Sequence, residues 1–111
     1  IELVFGPQGG WHVDAGVRLR GIDATGTTIT YEARREEDGR VLSTVRLGIT
    51  PRRLIEDGAY LVRTGDLVAF EIASANEVLD RMVTIEARLE DANGAELASD
   101  VRTLRVVDEE R

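Results

Sequence analysis

The chain's 111 residues, 42% hydrophobic and 32% charged, suffice for one packed core and are too few for two ordinary domains. Its 14 basic and 21 acidic residues leave a formal net charge of -7, which disfavours nucleic acid and anionic lipid surfaces as partners. No cysteine is present for a disulfide framework or a thiolate metal site, and no run approaches the roughly 20 apolar residues of a membrane helix.

The first expected strand is Ile1 to Phe5, with Ile1, Leu3 and Phe5 inward, ending where Gly6-Pro7 removes a ladder donor. Ile1 stands where a Met would open a gene product, so an excised domain or a mature chain is expected. In the second strand Trp11, Val13, Ala15, Val17 and Leu19 alternate with polar residues and with Gly16. Successive side chains of a strand point to opposite faces, so this spacing gives a half-buried strand and would be smeared around a helix. The same spacing places Ile29, Tyr31 and Ala33 inward, and Val41, Val45, Leu47 and Ile49 inward beyond an Asp38-Gly39 turn.

Pro51 to Gly65 shows no clean period and is expected to be a long crossover or a short edge strand. Val68, Phe70 and Ile72 form the next stripe. Ser74 followed by Glu77 has capping-box spacing, which predicts a helical turn over residues 75 to 80. Val83, Ile85, Ala87 and Leu89 form another stripe, and a turn at Asp91 to Gly94 leads to the last strand. There, inward Leu97 and Val101 give way to Leu104 and Val106, a change of parity that predicts a bulge near Arg102 and Thr103. The expected fold class is all-β, an immunoglobulin-like antiparallel β-sandwich of about seven strands. Residues 1–108 form a single domain in this reading, and residues 109–111 belong to a frayed acidic tail that begins at Asp108.

The run from Val83 to Gly94, followed by Ser99 to Val107, is similar to the closing hairpin of bacterial Ig-like and PKD-type modules. Phe5-Gly6-Pro7-Gln8-Gly9-Gly10-Trp11-His12 resembles a segment of predicted bacterial lipoproteins with no assigned activity, where it precedes an Ig-like sandwich. The resemblance implies an extracytoplasmic module (periplasmic, on the outer surface or secreted), often displayed from a larger or lipid-anchored protein.

Candidate sites are few. The glycine-rich Gly6 to Gly10 lacks the lysine and following helix of a phosphate cradle. His12 and Asp14 share a strand face but supply two metal ligands where a site needs three or more. Glu90, Asp91 and Asn93, or Glu36, Glu37 and Asp38, carry oxygens that suit calcium, and the same residues satisfy a tight turn. Ser43, Ser74 and Ser99 have no recognisable nucleophile setting, so no enzyme, catalytic residue, metal or cofactor is expected. Trp11 is expected in the core. Arg18, Arg20, Arg34 and Arg88 lie on outward faces where an acidic partner could meet them.

The expectation is a non-catalytic structural or protein-interaction module with a protein partner, itself a monomer or a weak edge-strand homodimer. Two alternatives stay open: a carbohydrate or small-ligand site at Gln8, Trp11 and His12, and a calcium-dependent adhesive domain.

Overall fold

The computed structural model of the protein describes residues 1–5, 10–22, 25–49 and 54–108. Among these run β1 (Glu2–Phe5), β2 (Trp11–Arg20), β3 (Thr28–Arg35), β4 (Val41–Gly48), β5 (Ile55–Asp57), β6 (Tyr60–Phe70), β7 (Met82–Glu90), β8 (Glu96–Arg105) and β9 (Val107–Asp108). They form two sheets, ordered β5-β6-β2-β1-β9 and β4-β3-β7-β8, and the chain is an all-β sandwich. Neighbours are antiparallel except β1 and β9, which run parallel with Glu2 opposite Val107 and Leu3 opposite Asp108. Asp108, expected in a solvated tail, is thus held in a ladder, while residues 109–111 lie outside the described residues. Short β5 and β9 account for the excess over the expected seven strands.

The alternating stripes do what their period demands. Val13 and Leu19 of β2, Ile29, Tyr31 and Ala33 of β3, and Val83 and Leu89 of β7 are buried, while Asp14, Arg18 and Arg20 face solvent. The hairpin between β3 and β4 closes with Gly39 N–H donating to Arg35 O and Arg35 N–H to Arg40 O. Ser74 caps a 3-10 turn at Ala75–Glu77 through a reciprocal capping box. This turn drives Val78, fully buried, into the core.

Three strands depart from simple alternation, each at a bulge. In β4 the register shifts between Ala33 and Arg34, so Leu42 is buried and Val41, expected inward, is exposed. In β6 the pairing with β2 shifts between Ala15 and Val17. The buried positions of β6 are Phe70, Val68 and Asp66 on one side of this break, and Arg63 on the other. Thr64 and Gly65, the latter at φ 79, take up the extra residue, which a glycine tolerates without a Cβ clash. Of the stretch expected to be a crossover or an edge strand, residues 51–53 lie outside the described residues, and the rest contains short edge strand β5 and the first half of the long β6.

In β8 the register shifts beside Leu89 and Glu90, not near Arg102 and Thr103. From Ala98 to Arg105 the pairing with β7 is unbroken, and Leu97 and Val101, expected inward, are exposed.

Candidate functional site

β1 reaches only the first turn-side residues of β2, pairing Val4 with His12 and Phe5 with Trp11. Val17 to Arg20 of β2 therefore pair on the β6 side alone among the described residues. In the other sheet β8 is the terminal strand. Between these two unpaired edges the sandwich stays open along a cleft of about 690 Å³. Val17, Leu19, Ile29, Ile85 and Leu89 line its apolar wall, and Arg18, Arg20, Asp100 and Arg102 its polar parts.

β8 presents the cleft with an unusual face. Residues directly opposite in an antiparallel pair share a face, and Ala98, Asp100, Arg102 and Leu104 stand opposite Leu89, Ala87, Ile85 and Val83. The strand thus offers two charged residues where β7 offers aliphatic ones. On its other face Ser99, Val101 and Thr103 stand opposite Arg88, Glu86 and Thr84, and Thr84 and Thr103 share a 3.0 Å hydroxyl hydrogen bond. Leu97 at the register shift, Val101 on the outer face and Leu104 in the cleft-facing row are 45%, 48% and 38% exposed.

The middle of that edge is closed by its own side chains. Val101 N–H donates to Asp100 Oδ1 at 2.9 Å, and Arg102 Nη1 donates to Val101 O at 3.3 Å and to Asp100 Oδ1 at 2.8 Å. The N–H and C=O of Val101 therefore point away from β7, and Asp100 and Arg102 fold over them as a clip. Asp100 and Arg102 are both mostly exposed, so the clip holds weakly.

A second polar group is buried between the sheets. Arg63 Nε donates to both carboxylate oxygens of Asp66, at 3.1 and 2.8 Å, and Tyr31 of the opposite sheet donates its hydroxyl to Asp66 Oδ2 at 2.7 Å. Arg63 and Asp66 are 4% and 3% exposed. Burial, and then the Asp66 hydrogen bond, push the Tyr31 hydroxyl far above its ordinary range, so it stays a donor. Arg63 Nη1 is buried with no hydrogen-bond partner among the described residues. Sequence reading missed this triad because Arg63 and Asp66 become co-facial only through the bulge between them.

Among the described residues, Trp11 and His12 lie on opposite faces of β2. Trp11 is half-buried and packs against the core, opposite Phe70. His12 lies on the other face with its Nε2 3.9 Å from Asp14 Oδ1, and its side chain is largely covered. Gln8 and the stretch Gly6 to Gly9 lie outside the described residues. Asp91 Oδ1 accepts from the N–H groups of Asn93 and Ala95, and Asp38 and Glu37 pair with Arg35 and Arg81, so these loop carboxylates serve their turns. Among the described residues no three His, Cys, Asp or Glu side chains are grouped to hold a metal ion.

Three of the four outward arginines pair with carboxylates at home, and Arg20 Cζ lies 5.9 Å from the centroid of the Tyr60 ring. Arg18 pairs with Asp57 at 3.4 Å and lies over the Tyr60 ring, Arg34 pairs with Glu32 and Arg88 with Glu86. Ser43 is buried, Ser74 is the cap and Ser99 sits on the outer face of β8. No helix among the described residues is long and apolar enough to cross a membrane. Comparison with family models, curated proteins and solved structures gave no match.

Proposed function

We propose that the chain is a non-catalytic protein-interaction module, immunoglobulin-like in its connectivity, of a secreted, periplasmic or lipid-anchored surface protein, and that β8 is its docking element. The compartment rests on the resemblance of the Phe5 to His12 segment and the closing hairpin. The sheet orders β5-β6-β2-β1 and β4-β3-β7-β8 support the immunoglobulin-like connectivity, since they follow the D-E-B-A and C′-C-F-G arrangement of that fold.

One observation carries the docking role. β8 is an edge strand of ten residues whose exposed positions include Leu97, Val101 and Leu104, with outward backbone groups closed only by a surface clip. A strand edge with unpaired N–H and C=O groups is a template for another polypeptide, and lysine and proline are two of the devices that guard such an edge. β8 has no lysine and no proline.

A photo-cross-linking side chain at Ser99, in the protein in its native cells, should give an adduct with a polypeptide. That adduct should vanish in the Val101→Pro background, and a probe at Thr44 in β4 should give none. Equal labelling at both positions, or an adduct that survives the proline, contradicts the docking role of β8. Proline at an outward edge position removes only the donor that strand addition needs and leaves the ladder to β7 intact.

A further inference from the structure

Resting on the docking role of β8, we propose that its partner is a second copy of this chain, joined through an antiparallel pairing of two β8 strands with Val101 on the two-fold axis. The axis is perpendicular to the joined sheet, so cleft-facing residues of one copy continue the cleft-facing row of the other. Such an isologous contact requires the strand to complement itself when reversed.

Two independent features of β8 select this register. Ladder groups of an antiparallel strand alternate inward and outward, and those of Val101 point outward, so Ser99 and Thr103 share its direction. The axis must then pass through a residue and not between two, and through Asp100 or Arg102 it sets like charges directly opposite each other, which leaves these three residues. Through Ser99 it sets Asp100 opposite Ala98 of the second copy, and through Thr103 it sets Arg102 opposite Leu104. Through Val101 it sets Asp100 opposite the partner's Arg102 and Arg102 opposite the partner's Asp100.

This register also exchanges every bond of the clip for a better one. Val101 N–H and C=O, held in the single chain by flanking side chains at 2.9 and 3.3 Å, bond instead to the partner's Val101 in a reciprocal backbone pair. The Asp100 carboxylate and Arg102 guanidinium, released from Val101, meet across the strands. Val101 of the two copies cover each other on the outer face, which removes from water the most exposed of these three apolar side chains. The two charged pairs then lie side by side along the mouth of the cleft.

The contact is one strand wide and smaller than the roughly 1,200 Å² of a stable interface, so the dimer is weak and reversible. Sedimentation equilibrium of the wild-type chain between about 10 µM and about 1 mM should show a monomer–dimer equilibrium. Val101→Pro should remain monomeric with an unchanged far-ultraviolet circular dichroism spectrum. Asp100→Arg should weaken the dimer about tenfold or more by setting like charges opposite each other twice, and adding Arg102→Asp should restore it. Both substitutions sit on the surface, so they report on association even if the proline variant unfolds.

A wild-type chain that stays monomeric throughout, or a charge swap that fails to restore association, overturns the second copy and its register. If Ser99 adducts with a different polypeptide persist while the chain is monomeric, the docking role of β8 stands and only the second copy falls. Tighter association of Asp100→Ala than of wild type would also overturn the register, since the clip would then act as a shield against pairing.

Discussion

Arg63 brings a guanidinium between the sheets with Asp66 as its counter-charge and Tyr31 as the second hydrogen-bonding neighbour of that carboxylate. Taking a charge out of water costs several kcal/mol, so the arrangement holds only while the carboxylate stays in place. Asp66→Asn should lower unfolding free energy by about 3–5 kcal/mol, because an unpaired buried guanidinium remains. Tyr31→Phe should cost about 1–3 kcal/mol, the penalty for one missing donor at a buried acceptor. Urea unfolding of both variants checks the order; a Tyr31→Phe loss as large as that of Asp66→Asn would place the burden on the tyrosine. The triad was invisible in the linear chain because an arginine and an aspartate three apart in a strand belong on opposite faces. Only the extra residue at Thr64 and Gly65 brings them round to one side.

The elements whose period is unbroken were legible, and those carrying a bulge were legible up to the bulge. In β2, β3 and β7 the residues expected inward are buried or packed, partly buried, against the core. β4 flips at Leu42, β6 at Thr64 and Gly65 and β8 at Leu97, and beyond each flip the inward set is the complementary one. In β8 the misreading had a physical source: its cleft-facing row is half charged, so the apolar residues that usually reveal the core face lie on the edge. Trp11 packs against the core and His12 turns to the other face, as the alternation of β2 leads one to expect. The β2–β6 bulge also brings backbone close enough to be tested. A Cβ added at Gly16 would lie 2.6 Å from Arg63 O, a backbone atom that cannot swing aside. Gly16→Ala should therefore destabilise the fold by about 1–3 kcal/mol, as overpacking does, and a melting temperature equal to wild type would show that β2 and β6 can separate there at no cost.

At the scale of the whole molecule, the β3–β4 hairpin is fastened to the capped turn before β7 by arginines. Arg40 donates to Glu77 Oε1 at 2.7 Å and to Glu71 O at 3.0 Å, Arg35 donates to Glu77 O at 3.1 Å, and Arg81 holds Glu37. The hydrogen bond from Arg35, aided by the N–H of Arg40, holds the Asp38 carboxyl down at about 2. The N–H of Ser74, then Arg40, lowers that of Glu77. For carboxyls lowered in the folded state, the stabilisation is complete above the ordinary values of 3.8 and 4.5. It is lost as pH falls, for Asp38 through about 2. The melting temperature should accordingly hold down to about pH 5 and decline below about pH 4. A carbon-detected titration in which Asp38 ionises near 3.8 would show that Arg35 does not grip it.

The parallel pairing of β1 with β9 has a mechanical consequence. Glu2 and Leu3 lie alongside Val107 and Asp108, and Val107 N–H donates to Ile1 O at 2.9 Å. Tension drawn through the two ends of the domain would pull these neighbouring strands in opposite directions along their length. Their hydrogen bonds would then be sheared together, not unzipped one after another. Survival of the domain under such tension would be set by how slowly it opens under force.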